Sequence, residues 1–180
     1  VRVGGGTFNM FDGKITENTG EKGGGVYVSR GTFNMEGGTI SSNTAARNSA
    51  TTESTTEFYG GGVYVKSGTF NMTGGTIAGN TAEGNGAGVY IDNTQYNTFN
   101  MSGGEISGNK AAGSGGGVYS LNGDIVMTGG TIADNTAGAE GGGVHIGDGS
   151  TVVFKMTGGT ITGNTAGTNG GGVCVKTRYS

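Results

Sequence analysis

Residues 60–82 read GGGVYVKSGTFNMTGGTIAGNTA, and close copies of this stretch recur along the whole chain. Each copy carries one methionine, and the six methionines are Met10, Met35, Met72, Met101, Met127 and Met156. They are separated by 25, 37, 29, 26 and 29 residues, so the unit has about 25 residues plus inserted loops. A repeat of this size, built from short β-type runs, is typical of one coil of a solenoid.

The composition supports an ordered repeat and excludes several other classes. Glycine accounts for 44 of the 180 residues, proline is absent, Leu121 is the only leucine, and the formal net charge is −3. The low charge argues against disorder, the lack of proline against collagen, and the single leucine against a leucine-rich repeat. No apolar run reaches about 18 residues and no basic patch is visible, so we expect neither direct membrane insertion nor a nucleic-acid partner.

Alternation within each short run predicts which side chains face the core. Successive side chains of a strand point to opposite sides. Phe and Met of residues 69–72 therefore face inward with Asn between them outside, and both valines of residues 63–65 face inward with Tyr outside. Ile77 also faces inward. Because connections between parallel strands are right-handed, we predict an all-β fold, a single-stranded right-handed parallel β-helix of about seven coils and three parallel sheets.

One asparagine occurs at the same place in every unit and predicts a ladder of amide hydrogen bonds. Asparagine tolerates left-handed backbone geometry, and its amide can bridge backbone groups at a corner. Glycine pairs before the Ile run and glycine triplets before the Val run are expected at the other corners, where a positive φ or a close approach is needed. The ladder residues are Asn18, Asn43, Asn80, Asn109, Asn135 and Asn164.

We interpret residues 1–180 as a single β-helix domain and expect it to be a segment of a longer repeat protein. The same Val-x-Val motif of the repeat occurs near both ends of the sequence, at residues 1–3 and 173–175. Neither end shows a polar capping segment, so strand edges should be exposed there. We expect these edges to contact neighbouring repeats of the parent chain or to support end-to-end self-association.

Two motifs resemble those of known proteins. Gly86-Ala87-Gly88-Val89 and the Gly-Gly-Gly-Val copies resemble the Gly-Gly-Ala-Ile type motif of bacterial polymorphic outer-membrane proteins and related repeat-bearing surface proteins. The asparagine ladder is similar to that of pectate-lyase-like β-helices. The resemblance covers nearly the whole chain and implies an adhesin-like or passenger-type segment that is extracellular, on the bacterial cell surface.

The outward tyrosines are the most suggestive surface feature of the sequence. A strip of aromatic faces can bind a glycan, whereas rings stacked at strand spacing present mainly their edges to solvent and stabilise one another. The sequence leaves both interpretations open, and a host protein is a further class of partner. The column consists of Tyr27, Tyr64, Tyr90 and Tyr119.

Three insertions interrupt the repeat, at residues 46–59, 92–97 and 147–152. Solenoids commonly carry function in such loops. The two shorter insertions each bring an aspartate, Asp92 and Asp148, in alternate coils. These residues predict either a pair of carboxylates that binds a ligand or ordinary turn residues.

We predict no catalytic centre, no metal site and no cofactor. A polysaccharide lyase or hydrolase on this fold needs acidic groups that converge on one bond, but Asp12, Asp124 and Asp134 fall in different columns. His145 is the only histidine and Cys174 the only cysteine, which argues against a metal site. An ice-binding solenoid needs a regular threonine array, and charged residues interrupt the threonine columns here.

The function that the sequence favours is therefore mechanical. We expect a non-catalytic structural or adhesive segment of a bacterial cell-surface protein, acting as a rigid stalk or display scaffold. A glycan-binding module that uses the tyrosine strip and the inserted loops is the main alternative, followed by the lyase-like and ice-binding hypotheses.

Overall fold

The computed structural model describes residues 1–47, 58–92, 97–147 and 152–176. Within these ranges the chain forms 25 short strands and no helix. All of the strands pair in parallel with the equivalent strands of the neighbouring repeats, and together they form four parallel sheets. The predicted all-β parallel β-helix is confirmed.

Each repeat first contributes to the valine sheet and then to the phenylalanine sheet, which we name after their inward side chains. The strands of the valine sheet are Arg2–Val3, Val26–Val28, Val63–Val65, Val89–Ile91, Val118–Ser120, Val144–Ile146 and Val173–Val175. Those of the phenylalanine sheet are Thr7–Met10, Thr32–Met35, Thr69–Met72, Thr98–Met101, Asp124–Met127 and Phe154–Met156.

The isoleucine sheet and the alanine sheet complete each coil. The isoleucine sheet comprises Lys14–Thr16, Thr39–Ser41, Thr76–Ala78, Glu105–Ser107, Thr131–Ala133 and Thr160–Thr162. The alanine sheet comprises Thr19–Gly20, Thr44–Ala45, Thr81–Ala82, Lys110–Ala111, Thr136–Ala137 and Thr165–Ala166.

The numbers of sheets and coils differ from the prediction. There are four sheets and not three, because the Thr-Ala residues of the Asn-Thr-Ala motif form a short strand of their own and not only a turn. A strand of two residues is too short to show the period-two alternation by which strands are recognised. About seven coils were predicted, but within the described residues only the valine sheet has seven strands. The other three sheets have six strands each, so the seventh coil is represented by a valine-sheet strand alone.

The inward columns form the core as predicted. Phe70 pairs in register with Phe33 and Phe99, and the ring centroids lie 4.8 and 4.9 Å apart. Met72 and Ile77 are fully buried in the same core. Burial of each such side chain stabilises the fold by about 1.5–3 kcal/mol, which offsets the entropy lost in ordering a glycine-rich chain.

Glycine at the corners has the two predicted roles. Gly75, the second residue of its pair, has a φ of 79°, which glycine adopts without steric cost. Gly62 lies in a triplet, and a Cβ there would stand 2.6 Å from the carbonyl oxygen of Gly88. The triplet therefore allows the backbones of neighbouring coils to approach each other.

The left-handed residue at the asparagine corner is the one before the asparagine. Positive φ values of 59°, 55° and 55° occur at Glu17, Ser42 and Asp134, and Gly79 at the equivalent place has 60°. The asparagines of the ladder do not have a positive φ. The amide is held by hydrogen bonds instead, and the preceding residue makes the turn.

The two ends of the columns are less well covered than the middle. At the last levels Met156 is 42% and Val175 58% exposed, while Met35, Met72 and Met127 in the middle of the methionine column are fully buried. Among the described ranges, no helix has the length and apolar character needed to cross a membrane.

Candidate functional sites

The inner asparagine ladder is the most regular polar feature of the molecule. The amide nitrogen of Asn80 donates to the side-chain oxygen of Asn109 (2.9 Å) and to the carbonyl oxygen of Ile40 (3.0 Å). Its Oδ1 accepts from both the main-chain N–H and the amide of Asn43, each at 3.0 Å. All four hydrogen-bonding positions of the amide are therefore filled.

This pattern joins every level of the described structure. Amide-to-amide hydrogen bonds of 2.9–3.0 Å run in one direction from the first ladder residue to the last. Asn43, Asn80, Asn109 and Asn135 are fully buried. The predicted ladder is confirmed, and each bond links residues in successive repeats.

A second asparagine ladder runs along the outer face of the phenylalanine sheet. Asn34 donates to Asn9, Asn71 to Asn34, and Asn100 to Asn71, at 2.8, 2.8 and 2.9 Å. Val126 and Lys155 occupy the same outward column in the last two repeats, so the ladder is not continued by asparagine there. Four identical amides in register were the signal that could have identified the ladder. The ladder borders a groove of about 430 Å³ that Glu36, Thr73 and Ser102 also line.

The tyrosine column points away from the core, as predicted, but it is not an exposed strip. Tyr64 is 1% and Tyr90 2% exposed. The rings of successive tyrosines are stacked with centroids 5.1–5.2 Å apart, and His145 stacks on Tyr119 at 5.0 Å. Of the two interpretations that the sequence leaves open, the described structure shows the stacked ladder, and the rings of Tyr64 and Tyr90 are not exposed as a strip.

Neighbouring side chains cover the edges of the rings. Tyr59 and Leu121 pack against the column, and the ring of Tyr59 stacks on that of Tyr90 at 4.5 Å. The ammonium of Lys22 lies 5.8 Å from the centroid of the Tyr64 ring. The sequence could not show this cover, because Tyr59 and Leu121 lie outside the repeated words.

Asp92 has a structural role in this column. The hydroxyl of Tyr64 donates to Oδ2 of Asp92 at 2.5 Å. Burial, followed by the hydrogen bond to Asp92, raises the pKa of Tyr64 well above the ordinary tyrosine value. The phenol therefore stays protonated, and the carboxylate is already engaged with a neighbour.

The insertions are only partly described. Residues 48–57, 93–96 and 148–151 lie outside the described residues, and with them Asp148. The predicted pairing of Asp92 with Asp148 therefore stays a prediction. Two of the remaining aspartates accept main-chain hydrogen bonds: Asp12 from the N–H of the adjacent Gly13, and Asp124 from the N–H of Val153 in the next repeat.

A basic groove lies at the first levels of the valine sheet, where the tyrosine column begins. Tyr27, which is half-buried, pairs in register with Arg2. Both line a groove of about 330 Å³ together with Ser29, Arg30, Lys66 and Ser67. The sequence shows no basic patch because these cations are far apart along the chain. Stacking of the first three repeats brings them together.

Three potential ligand groups of different chemistry meet at the last levels of the same face. One ligand atom each of Glu140, His145 and Cys174 lies within 4.8 Å of the other two. His145 and Cys174 are paired in register on adjacent strands. Glu140 comes from the corner before the Val144–Ile146 strand, where its main-chain N–H donates to the hydroxyl of Ser114.

Charges and burial set the protonation of this cluster. The ammonium of Lys176 lies 3.1 Å from the Glu140 carboxylate, and that hydrogen bond, with a second from Asn169, lowers the pKa of Glu140. Burial, followed by the nearby Glu140 charge, raises the pKa of the Cys174 thiol. The carboxylate is therefore ionised at neutral pH, and the thiol is protonated.

The sequence contained the signal for this cluster. His145 and Cys174 are 29 residues apart, one repeat length, and they occupy the same outward column. Their separation along the chain hides their contact, which the register of a parallel β-helix makes unavoidable.

Neither a protein-family model, nor a curated protein, nor a solved structure matches this chain. The resemblance to bacterial surface adhesins and to pectate-lyase-like β-helices gains no support from these comparisons, and it stays a proposal.

Proposed function

We propose that this chain is a non-catalytic structural segment of an extracellular bacterial surface protein, in which it acts as a rigid stalk or display scaffold. The observation that carries this proposal is the inner asparagine ladder. It links successive levels through fully buried amides whose hydrogen-bonding positions are filled, so bending or shearing one coil against the next breaks several hydrogen bonds at once.

The side chains of three of the four described aspartates fit a structural role. Asp92 holds a tyrosine hydroxyl, while Asp12 and Asp124 hold main-chain N–H groups. These carboxylates support local geometry and do not converge on one reacting bond, as hydrolysis or elimination in a polysaccharide would require. On the isoleucine sheet, Glu105 pairs with Thr76 and Thr131 and interrupts the threonine column that an ice-binding surface needs.

Mechanical extension of single molecules tests the scaffold proposal. We expect a chain held at its two ends to resist extension and then to unravel in steps of one repeat, about 80–90 Å of contour for 25 residues. The Asn80→Ala variant should lower the unravelling force, and Asn18→Ala, at the exposed end of the same ladder, serves as the matched control. Smooth extension at low force, without steps, would contradict a role as a stalk.

Self-association through the ends is part of this proposal. Val1, Phe11, Met156 and Val175 expose 55, 65, 42 and 58% of their surfaces at the first and last levels. The inner ladder has a fixed direction, so a second copy can continue it only head to tail. We expect the mass measured by light scattering to rise with concentration and to rise less for a Phe11→Ser, Val175→Ser variant. A monomer of constant mass would count against end-to-end stacking.

Binding of an acidic glycan is a second candidate function, and it is favoured by the groove around Tyr27. Arg2, Arg30 and Lys66 line that groove with two serine hydroxyls, although the chain as a whole carries a net charge of −3. An aromatic ring beside cationic and hydroxyl groups suits a sugar ring that carries a carboxylate or sulfate. We therefore place the proposed glycan-binding site at Tyr27, the first tyrosine of the column, and not at the buried Tyr64 and Tyr90.

Calorimetric titration with uronate oligosaccharides tests this second function. We expect binding that weakens as salt is added and that is lost in an Arg30→Gln, Lys66→Gln double variant. Lys110→Gln, Lys155→Gln removes the same charge from other faces and is the matched control. Equal binding of neutral oligosaccharides, or equal loss in both double variants, would rule out a specific acidic-glycan groove.

A further inference from the structure

We propose that Glu140, His145 and Cys174 form a zinc-binding site on the outer face of the valine sheet. Their carboxylate oxygen, imidazole nitrogen and thiol sulfur lie within 4.8 Å of one another. This site goes beyond the scaffold function, and it differs from the sequence-based expectation that a single histidine and a single cysteine make a metal site improbable.

The three groups are the ones that zinc prefers. Zinc binds thiolate, imidazole and carboxylate ligands in a tetrahedral arrangement, and its bond lengths place neighbouring ligand atoms about 3.5 Å apart. Because His145 is buried, rotations of the partly buried Glu140 and Cys174 side chains would have to contract the observed cluster to that spacing. Three protein ligands leave the fourth position to water. Hard cations such as Mg²⁺ and Ca²⁺ prefer all-oxygen sites, so the nitrogen and sulfur atoms favour zinc.

The fold holds the ligands in fixed positions. His145 is 4% exposed and stacks on Tyr119, so its ring has little freedom to rotate. Cys174 stands on the adjacent strand at the paired position. The Glu140 carboxylate accepts a hydrogen bond from the side-chain amide of Asn169 at 3.2 Å. Such support from neighbouring groups orients ligands and raises metal affinity.

A cation already neutralises part of this site. The ammonium of Lys176 lies 3.1 Å from Oε2 of Glu140, and the lysine side chain is 58% exposed. A solvent-exposed ion pair contributes little stability, so a zinc ion that also gains nitrogen and sulfur ligands can displace the ammonium. Zinc binding is accordingly expected to release the proton of the Cys174 thiol.

Titration of the full chain with Co²⁺ and Zn²⁺ tests the site. Co²⁺ takes the place of zinc, and its bond to a thiolate gives a charge-transfer absorption in the near ultraviolet. We expect one ion per chain, with displacement of Co²⁺ by Zn²⁺. Circular dichroism on each variant verifies that the fold is retained.

Three variants of the site and one control variant distinguish a zinc site from chance binding at a cysteine. His145→Tyr restores the residue of the other repeats and keeps the ring stack, and Glu140→Gln keeps the size of the side chain. Each should weaken binding at least about tenfold, since even outer-shell changes cost metal sites 10–100-fold. Lys176→Gln should tighten binding, because it removes the competing ammonium. Glu105→Gln, at an exposed carboxylate on the isoleucine sheet, should leave the affinity unchanged.

Two results would overturn the proposal. The first is the absence of a thiolate-to-cobalt band in the folded chain. The second is an unchanged affinity in both His145→Tyr and Glu140→Gln while Cys174→Ser abolishes binding, because this combination means that the thiol alone captures the metal.

Discussion

Individual asparagines of the inner ladder form hydrogen bonds to the coils on both sides of them. An amide between two coils must satisfy two donors and two acceptor positions, and Asn80 does so with partners both above and below it. An apolar replacement leaves those partners buried without hydrogen bonds. The free-energy cost of that loss depends on burial, so the middle and the ends of the ladder should respond differently.

Asn80→Ala should lower the free energy of unfolding by about 3 kcal/mol or more, because several buried groups lose their partners together. Asn18→Ala removes the same side chain at an exposed end of the ladder and should cost about 1 kcal/mol or less. Urea unfolding followed by circular dichroism measures both. Equal losses for the two variants would mean that the ladder does not stabilise the stack.

Ser42→Gly should stabilise the protein by about 0.5–1 kcal/mol. Ser42 is exposed and has a φ of 55°, a strained conformation that glycine adopts freely, and the equivalent residue of the next repeat is Gly79 with a φ of 60°. The reverse substitution, Gly79→Ser, should destabilise by a similar amount. Thermal unfolding of both variants measures the effect, and shifts in the same direction would refute the assignment of strain to this position.

At the scale of the element, alternation within the four-residue and three-residue strands was enough to predict the core. The inward columns at Phe70, Met72 and Ile77 follow from a period of two. The alanine sheet was missed because a two-residue strand has no period to read. The burial of Tyr64 was missed because Tyr59 and Leu121, which pack against the tyrosine column, lie outside the repeated sequence. Contacts between repeats, such as those of the basic groove and of the Glu140 cluster, need the register as well as the sequence.

Tyr64 should make the stability of the protein sensitive to alkaline pH. The pKa of Tyr64 is raised by burial and by Asp92, so the folded protein keeps this proton where the unfolded chain releases it, above the ordinary pKa of 10.0. The stability is therefore intact below pH 10 and falls above it, by up to about 1.4 kcal/mol per pH unit for this group.

Urea unfolding of the parent chain and of Tyr64→Phe at pH 8 and pH 11 measures this effect. The variant lacks the titrating group, so its loss of stability between the two pH values should be smaller than that of the parent chain. The values at pH 8 give the cost of the lost hydrogen bond by itself. Identical losses in the two proteins between pH 8 and pH 11 would show that Tyr64 does not titrate differently on folding.

At the scale of the whole molecule, each residue of a strand pairs with the equivalent residue of the neighbouring repeats. A short repeated sequence therefore determines contacts between residues that are far apart along the chain. The sequence separations across the inner ladder are 25, 37, 29, 26 and 29 residues, although the amides concerned are direct neighbours. The insertions change the separation along the chain without changing the register. The same scaffold therefore presents the basic groove at its first levels and the Glu140 cluster at its last levels.

Nuclear Overhauser contacts between the side-chain amides of the inner asparagines test the central claim most directly. In a chain labelled with ¹⁵N on asparagine, the amide protons of Asn80 should show contacts with those of Asn43, 37 residues before, and of Asn109, 29 residues after. These amides should also exchange slowly with solvent. Contacts limited to residues near in sequence, or contacts between strands that pair antiparallel, would contradict a parallel β-helix with one repeat per coil.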